Sequence, residues 1–272
     1  MIRHLKDVTI SHQEFKSRLG DLAKLNHANV LPIVAYYFSE SEKILLYEYL
    51  GSGNLSEHIH GKGNEGWAPL DWPKRAQIAL DVASGIAYIH GKGRNKGLTH
   101  GNIKTSNVLL KDVGPKKKAC LADVGLAHVL RAWPPSLNEG YRAPEVVTHM
   151  SRMFTHKADV YSFGVLLLEL LTSKQPFSSK GNKVLDLPRL ILSSIREEWT
   201  AEIFDSNIPS RLVYEEEMVL MLKIAMDCVQ VAPRERPSMA KVVSMIKLTH
   251  AFDDIPGSTY TDVSENLDQD FV

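Results

Sequence analysis

Along this chain the apolar positions switch between two periods, and each switch marks an element. Ile2 to Leu5 reads as a short strand. Phe15, Leu19, Leu22 and Leu25 then recur at helical spacing, which predicts a helix over 11–25 with Ser11 as N-cap and Glu14 completing a capping box. Two strand-like runs, Ile33 to Phe38 and Lys43 to Tyr49, flank the polar turn SESE. Gly51-Ser52-Gly53 reads as a flexible break.

Beyond that break the pattern turns helical. Ile78, Val82, Ile86 and Ile89 share one face of a helix over 72–90. Short strands over 107–111 and 119–122 follow, joined by GPKKK, whose Lys116 to Lys118 read as a solvated turn. Helices are predicted over 157–172, 187–198, 215–229 and 238–250. The run VYSFGVLLLELLT, Val160 to Thr172, is apolar on every side, as a helix buried in a large core must be. It is too short to cross a bilayer and contains Glu169. The result is an α+β chain in two lobes: residues 1–50 form a small lobe ending at a hinge, and residues 51–250 a larger helical one. Residues 251–272 carry six acidic and no basic side chains, and read as a disordered tail.

Composition narrows the function. Lysine plus arginine equals aspartate plus glutamate at 32 each, so no global field favours nucleic acid or an anionic membrane. Cys120 and Cys228 each lie in an apolar run, which favours two buried thiols in a reducing compartment over a disulfide. MIRHLKDVTI has no apolar core of a secretory signal, and the chain reads as cytoplasmic. His58 and His60 are two positions apart on a helix and point to different faces, so they read as exposed histidines rather than metal ligands.

The chemistry concentrates in THGNIKTSNVLL, Thr99 to Leu110, where His100, Asn102, Lys104 and Asn107 precede an apolar strand. In this context the motifs resemble those of the protein kinases. HGNIKTSN resembles the catalytic loop H-R-D-x-K-x-x-N; LADVGLA, sixteen positions beyond Asn107, resembles the D-F-G segment at Asp123; GYRAPE resembles the A-P-E signature. HKADVYSFGVLLLELLT is similar to the family's central helix, and RERPSM to its late arginine segment. LLYEYLGSGNL and DWPKRAQIALDVASGIAYIH look like the plant receptor-like kinases of the leucine-rich-repeat group. The resemblance covers about residues 1–250 and implies a bilobal kinase-like fold.

It also implies roles. Asn107 and Asp123 match the magnesium ligands, Lys104 the lysine near the transferred phosphate, and Glu48 and Leu50 the hinge positions that meet the adenine of ATP. His100 would prop the loop, Asp159 would brace it, and Glu145 would pair with Arg236. Three departures follow from the same alignment. Asn102 stands where an aspartate accepts the hydroxyl proton, and an amide has no lone pair basic enough for that task near neutral pH. Arg3 stands at the strand lysine and Arg18 at its glutamate partner; two guanidiniums about 4 Å apart would repel by roughly 4 kcal/mol at an effective dielectric near 20. Either the helix is displaced or Arg3 turns elsewhere, with Arg18 paired to Glu14. The family's first two strands and glycine-rich loop have no counterpart in this sequence, an N-lobe truncated relative to the family, and Val124 replaces the expected phenylalanine.

These departures imply an inactive kinase that acts as a signalling binding module or scaffold for other proteins, active receptor-like kinases among them. Plasma-membrane association would come through such partners. A weak or conditional ATP-dependent Ser/Thr kinase with an incomplete start is the alternative, and a truncated fragment without evolved function the third. Between Leu126 and Arg142 only Ser136 and Tyr141 carry hydroxyls, leaving little there to phosphorylate.

Overall fold

The computed structural model describes residues 1–5, 10–61, 69–92, 97–114, 116–126, 129, 140–148, 154–180, 183–197 and 203–249. The 251–272 segment and Ser136 lie outside them.

Strands β1 (Ile2–His4), β2 (Ile33–Phe38) and β3 (Lys43–Tyr47) form an antiparallel sheet in the order β1-β3-β2. Arg3 stands opposite Leu45, and Leu45 opposite Tyr36, so the three share a face. Helix α1 (His12–Leu22) covers that face: Leu45 is buried, and the Phe15 ring meets Tyr36 edge-on at 5.7 Å. The register therefore sends Arg3 inward and leaves Ile2 and Leu46 exposed. Ser11 caps α1 by accepting from the Glu14 N–H, while the Glu14 carboxylate pairs with Arg18 one turn on. The helix ends three residues earlier than its apolar spacing predicts, although Leu25 is still buried.

The larger lobe is built on α2 (Leu55–His60), α3 (Trp72–Lys92), α4 (Pro144–Thr148), α5 (His156–Thr172), α6 (Leu187–Glu197), α7 (Glu215–Cys228) and α8 (Met239–Lys247). α5 is its axis, with Phe163 and Val165 to Leu168 buried around the whole circumference. A Cβ on Gly164 would sit 2.7 Å from Cys228 Cβ, so the glycine sets how closely α5 and α7 approach. β4 (Val108–Val113) and β5 (Lys116–Leu121) pair antiparallel, and β6 (Phe177–Lys180) pairs with β7 (Lys183–Asp186). Both cysteines are buried as free thiols. No helix among the described residues is long and apolar enough to cross a membrane.

Three local expectations are corrected. Lys116 to Lys118 belong to β5, not to a turn, because they pair across the hairpin with Val113, Asp112 and Lys111, and Lys117 Nζ reaches Asp112 Oδ1 at 2.7 Å. Gly51-Ser52-Gly53 is anchored rather than loose: Ser52 Oγ donates to Asp112 Oδ2 at 2.8 Å, and Leu110 N–H donates to the Gly53 carbonyl at 2.9 Å. His58 and His60 are half-buried, since the helix that separates their faces is itself covered on two sides. His58 Nε2 lies 2.8 Å from the Ser52 carbonyl, and His60 Nε2 lies 2.5 Å from Glu169 Oε1.

Candidate functional site

The polar loop before β4 is held from beneath by α5. Asp159, one turn into that helix, accepts the His100 N–H on Oδ2 at 2.8 Å and the Gly101 N–H on Oδ1 at 2.9 Å. His90 Nε2, from α3, lies 2.9 Å from the same Oδ2. Burial pushes the Asp159 carboxyl up, but the hydrogen bond and charge of His90, with smaller contributions from His100 and the Gly101 N–H, more than offset this and hold it below the usual carboxylate range. His100 is fully buried; its Nδ1 accepts the Asn102 N–H at 3.3 Å, and its carbonyl accepts the Gly125 N–H at 3.1 Å. One buried residue, through its ring and its carbonyl, thus links Asn102 to the segment after Asp123.

Burial drives His100 down to about 4, because an imidazolium would have to shed its water there. The unfolded chain takes up this proton near pH 6.5 and the folded chain does not, so stability falls as pH drops from about 6.5 to 4. The contribution is roughly 3 kcal/mol. His27, His58 and His156, all lowered chiefly by burial, act in the same direction, and Asp159 adds to the loss below the usual carboxylate range. Urea melts at pH 7, 5.5 and 4.5 should show a declining midpoint, and His100→Phe should flatten that decline by about one proton. Asp81 and Asp123, whose carboxyls burial raises, oppose the decline, so the result that contradicts the assignment is a pH dependence left unchanged by His100→Phe.

Asn107 Nδ2 donates to the Asn102 carbonyl at 2.9 Å, and the Asn107 carbonyl accepts the Ala122 N–H at 2.9 Å. The loop and the end of β5 are therefore tied together just where Asp123 leaves the strand. Asp123 is buried in a left-handed backbone conformation with φ 61°. Two residues on, Gly125 has φ 68°, and a Cβ there would lie 2.5 Å from Leu22 Cδ2 of α1. Val124 lines a small cavity with Leu22, Leu25, Ile33 and Tyr47, where a larger side chain would fill more of the space.

Arg3 crosses from the sheet to this segment: its Nη2 lies 2.5 Å from Asp123 Oδ2. Arg18 goes elsewhere, pairing with Glu14 and donating through Nη1 to the Val129 carbonyl at 2.9 Å. The two guanidiniums are thus separated by taking different acceptors, and α1 keeps its buried face. Burial raises the Asp123 carboxyl, with Arg3 and Lys104 opposing. Lys104 is lowered first by burial and then by the charge of Arg3, with Asp123 opposing. Glu48 is exposed, its carboxylate 3.7 Å from Lys111 Nζ, and Leu50 is half-buried against the core.

Farther along, Arg236 grips Glu145 with both arms of its guanidinium, Nη1 to Oε1 at 2.7 Å and Nη2 to Oε2 at 2.8 Å. Two buried groups escaped the sequence reading. Glu169 of α5 accepts from the Tyr141 hydroxyl, from Thr105 Oγ1 at 3.1 Å and from His60, joining the polar loop, the GYRAPE segment and α2. A lone acid within an apolar helix was the available signal. Arg75 of α3 donates through Nη2 to Asp205 at 2.7 Å, and neither residue stood out from its neighbours in the chain.

This assembly is a three-strand sheet and helix joined to a mainly helical lobe, with a polar loop braced from a buried helix. The chain belongs to the protein tyrosine and serine/threonine kinase family, whose pattern it matches over residues 1–246. Its relatives are plant receptor-like kinases. An Arabidopsis thaliana protein described as a probable inactive receptor kinase is 44% identical over 95% of this chain and 40% of its own length. A probable leucine-rich repeat receptor-like protein kinase of the same plant is 43% identical over 90% and 37%. The chain thus spans about two fifths of the length of these relatives. Among solved structures, the pseudokinase domain of BIR2, an immune regulator of the RLK/Pelle family, superposes with a TM-score of 0.76 at 31% identity, covering 93% of this chain and 75% of that one. The kinase domain of maize SIRK1 bound to AMP-PNP gives 0.77 at 29% identity, covering 91% and 84%.

Proposed function

We propose that this chain is a catalytically inactive receptor-like kinase domain that serves in signalling as a protein-binding module, with active receptor-like kinases among its partners. The observation that carries this reading is the amide at Asn102. In this family the residue at that position accepts the hydroxyl proton and orients the nucleophile. A carboxamide can orient a hydroxyl but cannot take its proton at neutral pH.

The cation geometry supports the same reading. The strand guanidinium of Arg3 is spent on Asp123, and Arg18 offers it no counter-charge. The props of the loop are meanwhile intact: Asp159 under the loop, Arg236 with Glu145, and the Glu169 network. A fold kept rigid around a cleft without its base suits presentation of a surface better than turnover. The inactive relatives and the BIR2 pseudokinase likeness add weight.

Retained Lys104, Asn107 and Asp123 favour the opposing reading, a slow ATP-dependent Ser/Thr kinase. Radiolabelled ATP with Mg²⁺ and a generic protein substrate should give no transfer above background. Asn102→Asp alone should not restore it, because Arg3 still holds Asp123. Transfer by the wild-type chain that disappears on Asp123→Ala would overturn the proposal and establish the kinase.

A further inference from the structure

The charges that converge on the cleft add up to the wrong sign for a metal. Among the described residues Arg3 and Lys104 each bring a positive charge and Asp123 a negative one, and all three influence one another. Among the described residues no group of three histidine, cysteine, aspartate or glutamate side chains is placed to hold a metal ion. Asn107 contributes at most a neutral oxygen, since its Nδ2 is committed to the Asn102 carbonyl.

One feature favours a cation. Asp123 Oδ1 is buried and finds no hydrogen-bond partner among the described residues. An ion on that oxygen would share one carboxylate with Arg3, whose Nη2 is already 2.5 Å from the other oxygen. Arg3 would repel that ion and offset part of its attraction to the carboxylate, and Lys104 would add to the repulsion. Magnesium keeps several of its waters and is ordinarily held by only one or two carboxylates, so the ligand set of Asp123 and Asn107 does not by itself exclude it; the cation already seated on Asp123 does.

We propose that Arg3 is the resident cation of this cleft, seated on Asp123 where the family's fold would place a divalent metal, so that the domain excludes Mg²⁺. Register is what puts it there: Arg3 shares the buried face of the sheet with Leu45, and from that face its guanidinium spans to the turn after β5. The exclusion deepens the inactive reading at the same cleft but does not depend on Asn102. A domain that bound metal here would still lack its base, so the two ideas fail separately.

The test uses Mn²⁺ alone as a paramagnetic probe of the whole chain, read by water-proton relaxation, with no phosphotransfer in the readout. The wild-type chain should retain no Mn²⁺ at concentrations up to about 1 mM, the weak limit of protein sites for hard divalent cations. Arg3→Met should bind Mn²⁺ at least roughly tenfold more tightly than the wild type, and adding Asp123→Asn should abolish the gain. Arg3→Gln serves if Arg3→Met does not melt cooperatively. Wild-type binding that Asp123→Asn removes would overturn the proposal, whatever the variants do. So would the absence of any gain in a folded Arg3 variant.

Discussion

Arg236→Met should cost about 3–5 kcal/mol of folding stability, the range for removing one partner of a buried, hydrogen-bonded ion pair. The guanidinium is completely buried. Besides its two bonds to Glu145, it donates from Nε to the Gln230 carbonyl at 2.7 Å, from Nη1 to Lys157 at 2.8 Å and from Nη2 to Val231 at 3.1 Å. It also stacks over the Tyr161 ring at 5.0 Å. Methionine has a similar stem and cannot satisfy any of these acceptors, so three carbonyls and a carboxylate lose a donor together. Glu145 retains some access to water, so Glu145→Gln, which keeps one acceptor oxygen, should cost less, about 1–2 kcal/mol. Chemical denaturation of both variants and their double mutant measures the coupling. A loss below about 1 kcal/mol for Arg236→Met would mean that the pair does not brace the lobe.

Asp205→Ala should be nearly as severe, again about 3–5 kcal/mol, for a different reason. Asp205 is the only anion given to Arg75 at hydrogen-bond distance among the described residues, and both are buried. Arg75 keeps its carbonyl acceptors, Leu70 at 3.0 Å and Leu170 at 2.6 Å, but its charge loses its hydrogen-bonded counter-ion, leaving only the more weakly acting Asp71. Burial already pushes this guanidinium down, with Asp205 opposing. Asp205 also accepts from Ser173 Oγ at the end of α5 at 2.5 Å and from Asn207 N–H at 2.9 Å, so the turn over 205–208 would lose its organiser as well. The informative comparison is Arg75→Met combined with Asp205→Leu. Removing both charges should recover most of the loss, since a buried pair is often no better than well-packed hydrophobic replacements. If the double variant is as unstable as Asp205→Ala, the cost lies in the turn and not in the charge.

Both predictions rest on contacts across long stretches of chain, and that separation marks where sequence reading fails. Helix faces were legible because burial periodicity is local: Phe15, Leu19 and Leu22 on α1, and Ile78, Val82, Ile86 and Ile89 on α3, repeat within a turn or two and are buried. The motif run was legible for the same reason, each signature being a few contiguous residues. Strand ends were less so. Lys116 to Lys118 look like turn residues until their cross-strand partners are known, because a strand half-exposed to water tolerates charge. His60 looks like a surface histidine until α2 is packed against α5.

By itself the sequence determined the family, the order of the main helices and of the first five strands, the buried axial helix and the amide at Asn102, since all of these follow from residue identity and local spacing. The tertiary structure alone decided where the charges went. Arg3 could have faced solvent, Arg18 or Asp123, and sheet register with the left-handed turn at Asp123 brings it to the last. The same holds for Glu169 with Tyr141 and for Arg75 with Asp205. A buried charge takes whichever partner the packing of distant elements carries within hydrogen-bond reach, and no local pattern records that distance.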